Sequence, residues 1–252
     1  MVEGGRPGAY RRWLDNAVRR GVEPETVGDV VRRHGILPDD VGVLDRFEEL
    51  VDPDGKSFYL LPDDIGADDA RRAVLMTYVV NAGTGYGTSG TDLDFDETPY
   101  SAAEVGRIAE RQRANVWTYR WGVSVVHSRG GRLVTTPNGV LMGLGGDRLL
   151  DVLSQRGGTT YGDLFLLNIA RVDAPAELRA LVWSGRSRHQ AADGSTRAGR
   201  LDLDRLLHHE ERHARQWADK GPAGFVASYL WERLVRRNDT EEGAGLRDGG
   251  YR

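Results

Sequence analysis

The chain has no cysteine in its 252 residues. That excludes disulfides and thiolate metal sites, so any bound zinc must be held by His, Asp or Glu. It leaves the compartment open, because a chain without thiols is equally stable in reducing and oxidising surroundings. Lysine is nearly missing too: Lys56 and Lys220 are the only two, and arginine carries almost all the positive charge. The net charge of −4, with acidic residues interspersed throughout, gives no electrostatic case for a nucleic-acid partner. No stretch approaches 18 apolar residues, so no membrane span is expected. The opening "MVEGGRPGAYRRWLDNAVRRG" lacks an apolar core before a cleavage site. It therefore does not read as a signal peptide, and the chain is expected in the cytoplasm or exported by a route without a cleaved signal. No feature of the sequence sets an oligomeric state.

Glycine is plentiful, at 33 residues, and predicts long loops with less regular structure than average. The first part reads as mainly helical. "PETVGDVVRRHG" starts near Glu25 and Thr26 and stops at Gly35, and "DDVGVLDRFEELV" keeps helical spacing until "DPDG" breaks it. "ADDARRAVLMTYVVNAG" has aspartates in its first turn and a nearly continuous apolar run, the pattern of a buried helix. "GYGTSG" has the glycines of a dinucleotide loop but follows a helix and precedes carboxylates, so a phosphate cradle is not expected. Asp92, Asp94 and Asp96 lack the glycine and late glutamate of a calcium loop and read as a solvated acidic segment.

Ser101 followed by Glu104 is a capping box, predicting a helix to about residue 113. Beyond it, "WGVSVVHS", "GRLVTT", "GVLMGLGG", "TTYGDLFLLNIA" and "ELRALVW" are short and apolar between glycine-rich turns, and predict a small antiparallel sheet over roughly 120–185. "SGRSRHQAADGSTRAGR" reads as a polar loop, and the last segment returns to helix. The expected fold is α+β, with a helical region over 1–115 and, over 116–252, a small antiparallel sheet and a C-terminal helix pair.

That last helix carries "LLHHEERHARQW". Residues four apart on a helix differ by about 40° in direction, so His209 and His213 project from one face and can share a cation. Glu210 lies about 100° away, placed to reach a water on that cation. Three protein ligands and a water lower the water's pKa to about 7, and a carboxylate beside it then serves as general base. Asp202 or Asp204 can cap the helix, Leu206 and Leu207 give it an apolar contact, and Gly221 with Pro222 ends it. His208, five residues from His213, reads as a solvated neighbour.

The segment "HEERHARQWADKGPAGFVASYLWE…NDTEEGAGLRDGGY", with "GGTTYGD" upstream, resembles the C-terminal end of small bacterial H-E-x-x-H proteins. These are similar to zinc metallopeptidases of the gluzincin type, and the resemblance spans roughly residues 130–252. It implies a zincin-like domain that binds Zn²⁺ and takes a peptide or protein as substrate, with a downstream glutamate as third ligand. Glu241 stands where the family glutamate falls, with Glu242 one register out. Glu232 competes, because an antiparallel helix pair brings it level with the histidines. Neither Glu241 nor Glu232 has an aspartate four residues later to orient a ligand imidazole; Gln216 is placed to hydrogen-bond near the site. Tyr161, Tyr229 and Tyr251 are candidate oxyanion donors, and Trp217 with Tyr229 is expected to pack the two helices together.

Two functions follow from different classes. The first is a zinc metallopeptidase using His209, His213, Glu241 and Glu210, with an edge strand to pair with an extended peptide. The second is a non-catalytic, metal-stabilised protein-interaction module. Three protein ligands with an open water position in a cleft favour the first, and four protein ligands or a buried metal favour the second.

Overall fold

The computed structural model describes residues 8–84, 98–147, 150, 154, 157–235 and 237–250. "GYGTSG", the Asp92–Asp94–Asp96 run and Tyr251 lie outside them. The fold is mixed α+β. Its centre is a six-stranded sheet in the order β1-β2-β3-β4-β6-β5, comprising Glu48–Val51, Ser57–Leu60, Gly131–Thr135, Leu141–Gly145, Leu164–Leu167 and, at one edge, Gly158–Tyr161. Neighbours run antiparallel except β4 and β6, which are parallel, so the main sheet is mixed where an antiparallel one was expected. A second, two-stranded sheet joins β7 (Arg186–Gln190) to β8 (Thr196–Asp202).

Strand alternation sends successive residues to opposite faces. Leu133, Leu141, Leu164 and Leu166 meet helices Ala9–Arg19, Ala67–Val80 and Ala102–Ala114 on one face. Val134, Met142, Phe165 and Leu167 meet helix Ala174–Ser184 and Leu203, Leu206 and Leu207 on the other. Regular elements fill most of the described chain, and the glycines serve short turns and close approaches more than long loops. At Gly158, for example, a Cβ would sit 2.3 Å from the Phe165 ring.

The expected helices at Pro24–His34, Ala67–Val80 and Ala102–Ala114 are present, with Gly35 left-handed at the end of the first and the Ser101 side chain accepting from the Glu104 N–H at the start of the third. Four segments differ. "DDVGVLDRFEELV" gives only a helical turn, Pro38–Val41, and a 3₁₀ turn before becoming β1. There the Asp52 carboxylate accepts the N–H groups of Asp54 and Lys56 and closes a hairpin into β2, so sheet pairing overrides the helical spacing. "WGVSVVHS" is helical through a π turn to Ser128, because Val123 and Val126, three apart, pack on the core. "ELRALVW" belongs to helix Ala174–Ser184, whose cap is the Asp173 side chain accepting from the Ala176 N–H. "SGRSRHQAADGSTRAGR" is the β7–β8 hairpin, turning at Asp193-Gly194, a strong hairpin signal that outweighed its polarity. Residues on both sides of 116 share the main sheet, since Tyr59 and Leu60 pair with Thr135 and Val134.

No helix among the described residues is long and apolar enough to cross a membrane.

Candidate metal centre

Strand β8 runs straight into the motif helix, which starts at Leu203 and continues to Val235 across a break at Gly221 (φ 67, ψ 164). The cap is Asp202, whose carboxylate accepts the Asp204 N–H at 3.0 Å. Leu203, Leu206 and Leu207 bury themselves against the sheet, and burying each such side chain stabilises by about 1.5–3 kcal/mol. That seating turns His209, Glu210 and His213 inward, where all three are buried.

The two imidazoles converge. His209 Nε2 and His213 Nε2 are 3.0 Å apart, and Glu241 Oε2 lies 3.5 and 3.4 Å from them. Their tautomers follow from the other ring nitrogens. His209 Nδ1 faces the carbonyls of Ala244 and Gly245 at 3.1 and 2.9 Å, so it carries the hydrogen. His213 Nδ1 faces Gln216 Oε1 at 3.1 Å, and the Gln216 amide is oriented by donating its Nε2 hydrogen to the Thr240 carbonyl. Both Nε2 atoms of the neutral rings therefore present lone pairs to each other and to a carboxylate oxygen that receives no hydrogen bond. Three acceptors that close repel unless a cation or protons lie between them. Tetrahedral zinc with ligands at 2.0–2.2 Å sets ligand atoms roughly 3.3–3.5 Å apart, and the observed triangle fits one face of that tetrahedron. The Nδ1 acceptors are thus two backbone carbonyls for His209, which the sequence left unassigned, and for His213 the Gln216 that its spacing placed near the site.

Electrostatics agree with a cation-seeking cluster. Burial alone would lower the His209 imidazole and raise the Glu241 carboxyl. Their mutual contact outweighs burial in both, leaving His209 above its ordinary value and Glu241 well below the usual carboxylate range.

Glu232 is not in the triangle. Its carboxylate accepts from the Thr240 N–H at 2.8 Å and the Thr240 hydroxyl at 2.7 Å, holding the start of helix Asp239–Ala244 and so the adjacent Glu241. Glu242 is absent from the cluster as well. His208 is buried rather than solvated, and pairs with Asp248, which also takes Arg205. The C-terminal segment is thereby tied to the motif helix one residue before His209.

Glu210 faces a cavity of about 370 Å³, lined also by Gly158, Tyr161, Trp217, Tyr229 and Leu230. The Thr160 hydroxyl donates to Glu210 Oε2 at 2.6 Å. Strand β5, which bears Thr160, is the sheet edge. Its ladder to β6 alternates from the Asn168 N–H on the Gly157 carbonyl, directing the backbone groups of Gly158 and Thr160 away from β6. Trp217 Nε1 already donates to the Thr160 carbonyl. Trp217 stacks on Phe225 at 4.1 Å across the Gly221 break, so Phe225 rather than Tyr229 makes the ring contact between the arms, and Tyr229 stacks on Phe225 at 6.4 Å within its own arm.

A buried polar clamp sets this arrangement. Arg107, Arg111 and Asn115 recur every four residues along one side of helix Ala102–Ala114 and just past its end. Arg111 pairs with Glu211 of the motif and, at 3.0 Å, with Asp163 in the β5–β6 turn; Arg107 reaches Glu211 at 2.9 Å. Asn115 donates to Asp163 and to the Ala214 carbonyl, and Tyr119 donates to Asp163 at 2.9 Å. Burial drives the Asp163 carboxyl above its ordinary value despite these donors, whereas the guanidiniums overcome burial at Glu211 and lower it. Sequence reasoning missed Thr160, Glu211, Arg111 and Asp248. Only the four-residue recurrence of Arg107, Arg111 and Asn115 offered a signal.

Comparison with known proteins finds no matching family model, curated protein or solved structure.

Proposed function

We propose that this chain is a zinc-dependent metallopeptidase that hydrolyses peptide bonds, with His209, His213 and Glu241 as metal ligands and Glu210 as the catalytic base. The observation that carries this reading is the convergence of three lone-pair atoms beside an open cavity that also holds Glu210. A divalent cation bound there supplies Lewis acidity and brings the pKa of a coordinated water to about 7. Glu210 takes the proton of the attacking water and returns it to the leaving nitrogen, which it can do because Thr160 holds one of its oxygens and leaves the other for the proton. The outer edge of β5 suits an extended peptide, whose backbone would pair with Gly158 and the Thr160 N–H, the Thr160 carbonyl being taken by Trp217. Tyr229 and Tyr161, both lining the cavity, are the candidate donors to the carbonyl oxygen as it gains charge.

The non-catalytic reading is disfavoured by the ligand count. The cluster offers three protein ligands among the described residues and opens on a cavity of about 370 Å³, within the range of small-ligand pockets. The test is metal analysis by mass spectrometry of the wild type and His213→Ala, with hydrolysis of a mixed peptide library by wild type and Glu210→Gln. One zinc per wild-type chain, none in His213→Ala and cleavage abolished in a zinc-loaded Glu210→Gln support the proposal. No zinc in the wild type, or library cleavage undiminished in Glu210→Gln, overturns it.

A further inference from the structure

The helix arm beyond Gly221 is arranged against the usual rule. Its buried carboxylate, Glu232, points inward to Thr240, while large apolar side chains face solvent. Val226, Leu230, Leu234 and Trp231 are 47%, 61%, 75% and 62% exposed. At 100° per residue they follow one another around the arm in that order across roughly 140°. A contiguous exposed apolar surface of this kind marks a binding face on a soluble domain. Two of its members, Val226 and Leu230, also line the metal cavity, beside Phe225 stacked on Trp217. The apolar surface is therefore continuous from the metal cavity to the outer face of the arm.

We propose that this face is a docking rail for an extended, apolar segment of the substrate polypeptide, gripping it at residues remote from the bond that is cut. The inference rests on the peptidase reading and names the substrate class for it: a flexible chain cut internally, next to an apolar stretch. Continuity selects this occupant, since a chain leaving the cavity over Val226 and Leu230 meets Leu234 and Trp231 next. The lining agrees. Among the described cavity residues the ionisable side chains other than tyrosine are His209, His213, Glu210 and Glu241, all committed to the metal and the base. None of them is free to neutralise a chain terminus or a charged side chain.

The experiment uses the zinc-loaded full chain and the double variant Trp231→Ser/Leu234→Ser, whose two positions lie outside the cavity. Three quenched fluorogenic peptides share one cleavable core: the core alone, the core with a ten-residue extension rich in Leu and Phe, and the core with an extension of Ser and Gly. The proposal expects KM for the apolar-extended peptide to rise about tenfold in the variant with kcat kept, and the other two peptides to be cut as by wild type. An equal KM for the apolar-extended peptide in both proteins overturns it, as does an equal KM increase on all three. A wild-type dimer in sedimentation that the variant dissociates assigns the face to a second copy, and variant-sensitive binding to phosphatidylglycerol vesicles assigns it to a membrane; either overturns the rail. If no peptide is cut, fluorescence anisotropy of the labelled apolar peptide on Glu210→Gln separates the two claims. Binding weakened by the double substitution keeps the rail while the peptidase reading falls; no binding removes the rail.

Discussion

Glu232 grips Thr240 through both its carboxylate oxygens, and Thr240 is the residue before Glu241. The two glutamates that compete for one role in the sequence thus hold two places in series: one stands with His209 and His213 as the proposed third ligand, the other secures the turn that presents it.

The series makes an ordered prediction for metal affinity. His209→Ala, His213→Ala and Glu241→Ala each remove a ligand and should weaken zinc binding at least about 100-fold, whereas Glu232→Gln loosens a support and should weaken it about tenfold. Competition with a chromophoric chelator measures both. Glu232→Gln losing as much as Glu241→Ala would make Glu232 a ligand.

Thr160 donates to Glu210, the proposed base, and is not among the proposed metal ligands. Glu210→Gln should lower kcat about 10²–10⁴-fold with zinc retained. Thr160→Val should lower kcat by a smaller factor, about tenfold, with KM and zinc content unchanged. Steady-state kinetics on a cleaved peptide from the library decides it; a Thr160→Val enzyme with wild-type kcat would show that the hydrogen bond does not orient Glu210.

The clamp on Glu211 should be costly to break. Arg111→Met leaves Glu211 and Asp163 buried with a missing partner and should cost about 3–5 kcal/mol in urea unfolding of the metal-free protein. Adding Glu211→Gln and Asp163→Asn to Arg111→Met should recover part of that loss, because fewer buried charges then lack a counterion. A cost below about 1 kcal/mol for Arg111→Met alone would place the network at the level of a surface pair.

Lys56 and Asp204 form another buried pair, 2.5 Å apart, joining the β1–β2 hairpin to the first turn of the motif helix. Burial outweighs the lysine and pushes Asp204 up to about 6, above its ordinary 3.8. Folding therefore favours the protonated acid. The stability this contributes is full below about pH 4 and is lost as the pH rises through 6. Relative to Asp204→Asn, the metal-free wild type should gain up to about 3 kcal/mol between pH 7 and pH 4. Parallel urea titrations of the two proteins measure the difference. A difference that does not change with pH would mean that folding leaves the Asp204 carboxyl at its unfolded value.

Acid should also release the metal. The His209 imidazole sits above its ordinary value in the metal-free cluster, held there by Glu241 against burial, so protons compete at a higher pH than for a free histidine. Zinc occupancy at fixed free metal, followed by equilibrium dialysis, should fall as the pH drops from 8 to 5.

Local patterns were legible from residue order alone. The Ser101 cap, the Gly35 stop, the apolar run of Ala67–Val80 and the shared face of His209 and His213 all depend on neighbours within about four residues. Short-range spacing specifies those. "ELRALVW" and the Asp193-Gly194 hairpin carry local signals as well, the Asp173 cap and the turn dipeptide, although the composition of the two segments points to a strand and a loop.

The remaining features needed the folded chain. Whether "RFEELV" is helix or strand was decided by its partner β2 and by the sheet behind it, and β4 lies parallel to β6 because of a crossover that no short window contains. Thr160 reaches Glu210 across 50 residues of sequence, Arg111 reaches Glu211 across 100, and Lys56 reaches Asp204 across 148. Residue order determined which side chains could bind a metal, since four-residue periodicity follows from backbone geometry. Tertiary structure decided which carboxylate joined them and which groups hold the rings, because those contacts follow from packing between segments distant in the chain.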